Sequence, residues 1–201
     1  MKKHFDQLYS ELQKSLNSRI TDGSRLTIVK APPGSGKTYM LVEMIDHALK
    51  MKMRVAVATQ TNSQSDEVCD RLIEKYPETL LVRFVSLQSN FESATYTVES
   101  DKNKLPESSC VVVATSAKWG MVELPVPFDI LFIEEAWQLK TADFLPLAGV
   151  SQKFILIGDP GQIPPVVTLS TDRWATTHSA PHVAAPETLL KTDISKTSQL
   201  I

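Results

Sequence analysis

The sequence predicts an α/β fold, a mostly parallel sheet with helices on both faces. Three observations predict it. Short, near-continuous apolar runs recur along the chain, as in strands buried on both faces. Segments with helical periodicity separate several of these runs. Polar, acidic or glycine-rich residues stand just after the runs, where sheets of this kind bind ligands.

Taken in order, Phe5, Leu8, Tyr9, Leu12 and Leu16 recur every three or four residues and predict an amphipathic helix over 4–19 that covers the sheet. Asp22-Gly23 ends it. Residues 26–30 form a first strand, and a helix with Leu41, Met44, Ile45 and Ala48 on one face runs to about Met51. A second strand spans 54–59. After the polar loop Gln60-Thr61-Asn62-Ser63, a helix covers 66–73. Further strands fall at 81–85, 110–114, 129–133 and 153–157. Residues 88–108 lack a period and read as a flexible insertion, and 168–201 as an irregular linker after a domain spanning 1–167. His178 and His182 have the spacing of a helical metal pair, but Pro181 breaks such a helix, so a loop is expected there.

The 201 residues suit one α/β domain, and 42% apolar residues supply its core. A net charge of -2 and an isoelectric point near 6.1 exclude a strongly basic chain, so nucleic acid would have to bind at a local patch. Cys69 and Cys110 lack metal-ligand spacing and are expected to be buried thiols in a reducing compartment. Lys2-Lys3 is not followed by an apolar signal segment, and no stretch is long enough to span a bilayer. A cytoplasmic protein with no membrane partner is expected.

The stretch 26–45 combines strand, glycine loop and helix. Pro33, Gly34, Ser35, Gly36, Lys37 and Thr38 have the chemistry of a phosphate cradle. The glycines let backbone N–H groups converge on phosphate oxygens at a helix N-terminus. Lys37 reaches the β- and γ-phosphates and Thr38 a magnesium ion. Glu134 and Glu135 follow a buried strand. There, one carboxylate can hold magnesium through water and the other can polarise an attacking water. In 158–165, prolines rigidify a loop that can hold Gln162 near a γ-phosphate.

The stretches Ala31–Thr38, Glu134–Gln138 and Gly158–Pro165 resemble motifs I, II and III of superfamily 1 helicases, closest to the 5′-to-3′ and RNA-surveillance branch. Residues 58–62 with Asp66 are similar to motif Ia, and 113–116 to the next nucleic-acid motif. The resemblance spans roughly 26–167. It implies a RecA-like P-loop NTPase domain using ATP and Mg²⁺, with Glu134 on the magnesium side, Glu135 as catalytic base and Gln162 as γ-phosphate sensor. It also implies that Thr61, Asn62 and Thr115 touch the backbone of single-stranded DNA or RNA. Ala31 stands in place of a glycine, Glu134 in place of the usual Asp, and no adenine-reading Gln precedes the first strand. In this family a second RecA-like domain supplies arginine fingers, so it is expected in cis or in trans, with slow hydrolysis by these residues alone. The competing reading is a non-helicase P-loop switch acting on a protein partner.

Overall fold

The computed structural model describes residues 2–168, 170–174, 177, 180–191 and 198–200. In chain order the elements are α1 (Lys2–Thr21), β1 (Leu26–Lys30), α2 (Lys37–Lys50), β2 (Arg54–Thr59), α3 (Asn62–Lys75), β3 (Leu81–Phe84), β4 (Thr97–Glu99), β5 (Cys110–Thr115), α4 (Ser116–Gly120), β6 (Ile130–Ile133), α5 (Thr141–Phe144), β7 (Phe154–Gly158), α6 (Ala185–Lys191) and β8 (Ser198–Leu200). They build an eight-stranded sheet in the order β4-β3-β5-β2-β6-β7-β1-β8, with every neighbouring pair parallel.

Alternation along the strands divides the core in two. Val29, Val55, Val57, Val111, Val113, Phe132, Ile155 and Ile157 face the long helices, meeting Leu16 and Ile20 of α1, Met44 and Ile45 of α2, and Val68 and Leu72 of α3. Each such side chain contributes roughly 1.5–3 kcal/mol when fully buried. Ile28, Ala56, Val112, Leu131 and Leu156 face the other way. That layer has short helices, and large rings fill it: Trp119 lies between Phe84 and Phe128 at centroid distances of 5.5 and 5.4 Å. The Trp119 indole N–H donates to the Val57 carbonyl at 2.8 Å, so its polar atom is not stranded in the core.

The structure corrects several expectations. The supposedly irregular 88–108 contains β4, which extends the sheet beside β3 in the register Val82↔Thr97. Three residues are too few to show a period. Within 168–201, α6 and β8 are regular, and β8 pairs with β1 in the register Thr27↔Ser198. Helix α3 begins at Asn62, four residues ahead of the expected start. A reciprocal cap sets that start: the Thr61 hydroxyl accepts from the Gln64 N–H at 3.2 Å, and Gln64 Oε1 accepts from the Thr61 N–H at 3.0 Å. Among the described residues no helix is long and apolar enough to cross a membrane.

Candidate nucleotide site

The phosphate loop leaves the sheet where β1 meets β7. Lys30 is in register with Gly158, and the Ala31 N–H donates to the Gly158 carbonyl at 2.8 Å. The chain then turns through Gly34 at φ 75° and Gly36 at φ 78°, left-handed conformations that side chains disfavour. Ala31 tolerates its place because, outside glycine, only Lys52 and Glu135 among the described residues take positive φ. Helix α2 starts at Lys37, and the N–H groups of Lys37 and Thr38 fall in its first turn, where no intrahelical acceptor exists.

Glu134 and Glu135 approach this turn from the end of β6. Glu134 is 6% exposed, and its Oε1 accepts from the Thr38 hydroxyl at 2.9 Å. Burial pushes the Glu134 carboxyl above the ordinary glutamate range, and the neighbouring Glu135 charge adds to that. Glu135 sits at φ 51°, which turns its carboxylate back so that Oε1 lies 3.6 Å from the Lys37 ammonium. Its other oxygen, Oε2, is buried without a hydrogen-bond partner. A β-carbon on Gly158 would stand 2.9 Å from the Ala136 nitrogen, so the strand behind the loop must carry glycine for the acidic turn to pack this closely.

Between these groups opens a cleft of about 400 Å³, lined by Gly34, Gly36, Lys37, Thr38, Glu134 and Glu135, and on its α3 wall by Gln64, Glu67 and Arg71. The three α3 residues escaped the sequence reading. Their spacing puts them on one helical face, but a polar face ordinarily means solvent. Gln60 was missed as well, and its amide donates to the Glu134 carbonyl at 3.3 Å.

The remaining candidates lie elsewhere. Gln162 is absent from the cleft lining. Its loop is folded by the Asp159 carboxylate, which accepts from the Gly161 N–H at 2.8 Å, and Gln162 Oε1 is buried and unpartnered. Thr61 and Thr115 are helix caps, the Thr115 hydroxyl accepting from the Lys118 N–H at 3.2 Å. Asn62 Oδ1 accepts from Arg83 at 2.9 Å, and Arg83, only 1% exposed, also donates to Asp66 at 2.8 Å. Of the pair His178 and His182, His178 lies outside the described residues. Among those described, no group of three His, Cys, Asp or Glu is placed to hold a metal.

Residues 8–191 match the AAA domain family. The chain belongs to that family. It is 31% identical over 80 residues, 39% of its length, to an uncharacterized ATP-dependent helicase of Methanocaldococcus jannaschii. Over 169 residues, 77% of its length, it is 24% identical to the DNA replication ATP-dependent helicase/nuclease JHS1 of Arabidopsis thaliana. It spans only 12% and 13% of those two relatives. Two solved structures share its fold at 16% identity. The Sulfolobus solfataricus SWI2/SNF2 ATPase core in complex with dsDNA has a TM-score of 0.56 over 74% of this chain and 30% of that one. The UvsW helicase of bacteriophage T4 scores 0.55 over 79% of this chain and 60% of that one. The expected RecA-like P-loop fold and the superfamily 1-like resemblance are thus borne out, and membership of this family implies nucleotide binding.

Proposed function

We propose that this chain is the ATP-binding and hydrolysing motor domain of a superfamily 1-like helicase. It couples ATP to single-stranded nucleic acid and is completed by a second RecA-like domain in cis or in trans. One observation carries the reading: two residues of the phosphate loop face two consecutive carboxylates, Thr38 on Glu134 at 2.9 Å and Lys37 on Glu135 at 3.6 Å.

Thr38 and Glu134 are the residues that would hold magnesium. They fit it, because one hydroxyl and one carboxylate are the share a protein usually gives this ion beside phosphates and water. When bound, the ion would neutralise charge on β- and γ-phosphate oxygens. Lys37 would leave Glu135 for those oxygens as a triphosphate enters. Glu135 is then free to orient a water toward the γ-phosphorus and accept its proton, and the unpartnered Oε2 offers a place for it. Gln162 would sense the γ-phosphate from the adjoining loop. Glu134 reaches Thr38 despite its extra methylene over the usual Asp.

Relatives named as helicases, and a neighbour solved with dsDNA, support nucleic acid as the second ligand. The strand would run past Thr61, Asn62 and Thr115. The two free, buried cysteines support a cytoplasmic setting. The test is steady-state ATP hydrolysis with and without mixed-sequence single-stranded oligonucleotides. Hydrolysis below the ~1–100 s⁻¹ of complete phosphoryl-transfer enzymes, raised by single strands and lost in Lys37→Ala, is expected. Hydrolysis unchanged in Lys37→Ala overturns the nucleotide site, and no response to single strands removes the helicase reading.

A further inference from the structure

Two ion pairs, not one, line the cleft. Besides Lys37 and Glu135, the α3 wall carries Arg71, whose Nη2 and Nε lie 2.6 and 3.1 Å from Glu67 Oε1. The pairs differ in cost. Lys37 and Glu135 are mostly buried, whereas the Arg71 and Glu67 side chains are 50% and 56% exposed. An exposed pair at this spacing on a helix contributes only a few tenths of a kcal/mol, so Arg71 leaves Glu67 easily. Its backbone, in contrast, is fixed, because the Thr61–Gln64 cap and the buried Arg83–Asp66 pair hold the start of α3.

The position of this wall indicates which part of a nucleotide Arg71 meets. Arg71 and Glu67 line the same cleft as Glu134 and Glu135, and Gln60, just ahead of α3, donates to the Glu134 carbonyl at 3.3 Å. Arg71 and Glu67 therefore stand by the acidic corner, the end where the terminal phosphate must lie for Glu135 to direct water at it. A planar guanidinium grips phosphate oxygens through paired hydrogen bonds, which a lysine cannot do.

We propose that Arg71 is a second phosphate-binding cation of this cleft, released from Glu67 to hold the terminal phosphate of a nucleoside triphosphate. The proposal rests on the nucleotide reading given above. It makes the cleft distinguish triphosphate from diphosphate without any residue from a second domain.

Calorimetry with a non-hydrolysable ATP analogue and with ADP, each with magnesium, tests it on the parent chain, Arg71→Ala, Arg71→Lys, Glu67→Gln and Lys37→Ala. Arg71→Ala is expected to weaken the triphosphate about tenfold or more while changing ADP affinity less than about threefold. Arg71→Lys should recover part of the loss, and Glu67→Gln should tighten the triphosphate by a few-fold. Thermal unfolding confirms that each variant is folded. If Arg71→Ala weakens both nucleotides equally, or neither, while Lys37→Ala still weakens both, Arg71 belongs only to a surface ion pair of α3. If Lys37→Ala binds both nucleotides as the parent does, the nucleotide reading fails and this proposal with it.

Discussion

The carboxyl edge of the sheet has two halves that use the same residue chemistry in opposite ways. In the half formed by β1, β6 and β7, the loops bring polar groups to a cleft: the first turn of α2, whose N–H groups have no intrahelical acceptor, and the Lys37 and Glu135 side chains. In the half formed by β2, β3 and β5, polar groups are consumed by the fold. The Thr59 hydroxyl is 2.6 Å from Ser65 Oγ, Ser116 donates to the Thr59 carbonyl, Thr61 and Thr115 cap helices, and Asn62 is tied to Arg83. Hydroxyls and amides after a strand therefore do not by themselves mark a binding edge. What marks it is whether their hydrogen bonds are still available.

Mutations on the two halves should separate ligand effects from stability effects. The largest effect is expected at Arg83. Arg83→Ala strips the partner from Asp66 and Asn62, and should cost about 3 kcal/mol in urea unfolding. That is the low end for a buried pair, because the Asp66 side chain keeps 30% exposure. A loss below ~1 kcal/mol would mean that this half is not held by its own network. Next, Lys37→Ala should lower ATP affinity about thirtyfold, which is ~2 kcal/mol, with a stability loss well below that of Arg83→Ala, because the 3.6 Å Lys37–Glu135 pair borders the cleft and water can reach the group left behind. A stability loss of similar size would erase the contrast.

The double variant Asn62→Ala, Thr115→Ala sharpens the comparison, because it touches groups with two proposed uses. Loss of one cap and one Arg83 partner should cost roughly 1–2 kcal/mol. Fluorescent single strands at low salt should also bind several-fold more weakly if the strand path passes here. A folded double variant that binds like the parent leaves these residues with their capping role alone.

The smallest effect is expected at Glu134, where the open half carries a cost of its own. Burial raises its carboxyl above the ordinary glutamate range, so the folded chain holds this proton more tightly than the unfolded one. Stability therefore falls as pH rises through that window, and the penalty for burying the charge is full above it. Glu134→Gln should raise the melting temperature without nucleotide near neutral pH, and the gain should shrink to nothing once pH falls below the ordinary glutamate range. A gain that does not vary with pH would assign the effect to packing.

The open half was the more legible in sequence. Gly34 and Gly36 report a local requirement, positive φ, and a short stretch of chain displays both the loop and the helix it starts. The closed half was less so. Arg83 sits inside an apolar run, and its partners Asn62 and Asp66 lie on another element, so nothing local announces a buried charge network. The turn at Glu135 was also hidden, since a glutamate with φ 51° has no residue signature. Likewise β4 and β8, at three residues each, acquire their identity from the neighbour they pair with.

That dependence on neighbours has a consequence for how the chain reaches this state during synthesis. Strand β1 emerges early, yet its partners are β7 and β8: Leu26 waits for Phe154, and Thr27 for Ser198. With every pair parallel, no local hairpin can nucleate the sheet, and the closure entropy of long loops must be met before any strand pairing rewards it. The Ala31–Gly158 hydrogen bond at the base of the phosphate loop is thus among the late contacts to form. A nascent chain that ends before Gly158 carries every residue of that loop and lacks the strand that anchors it.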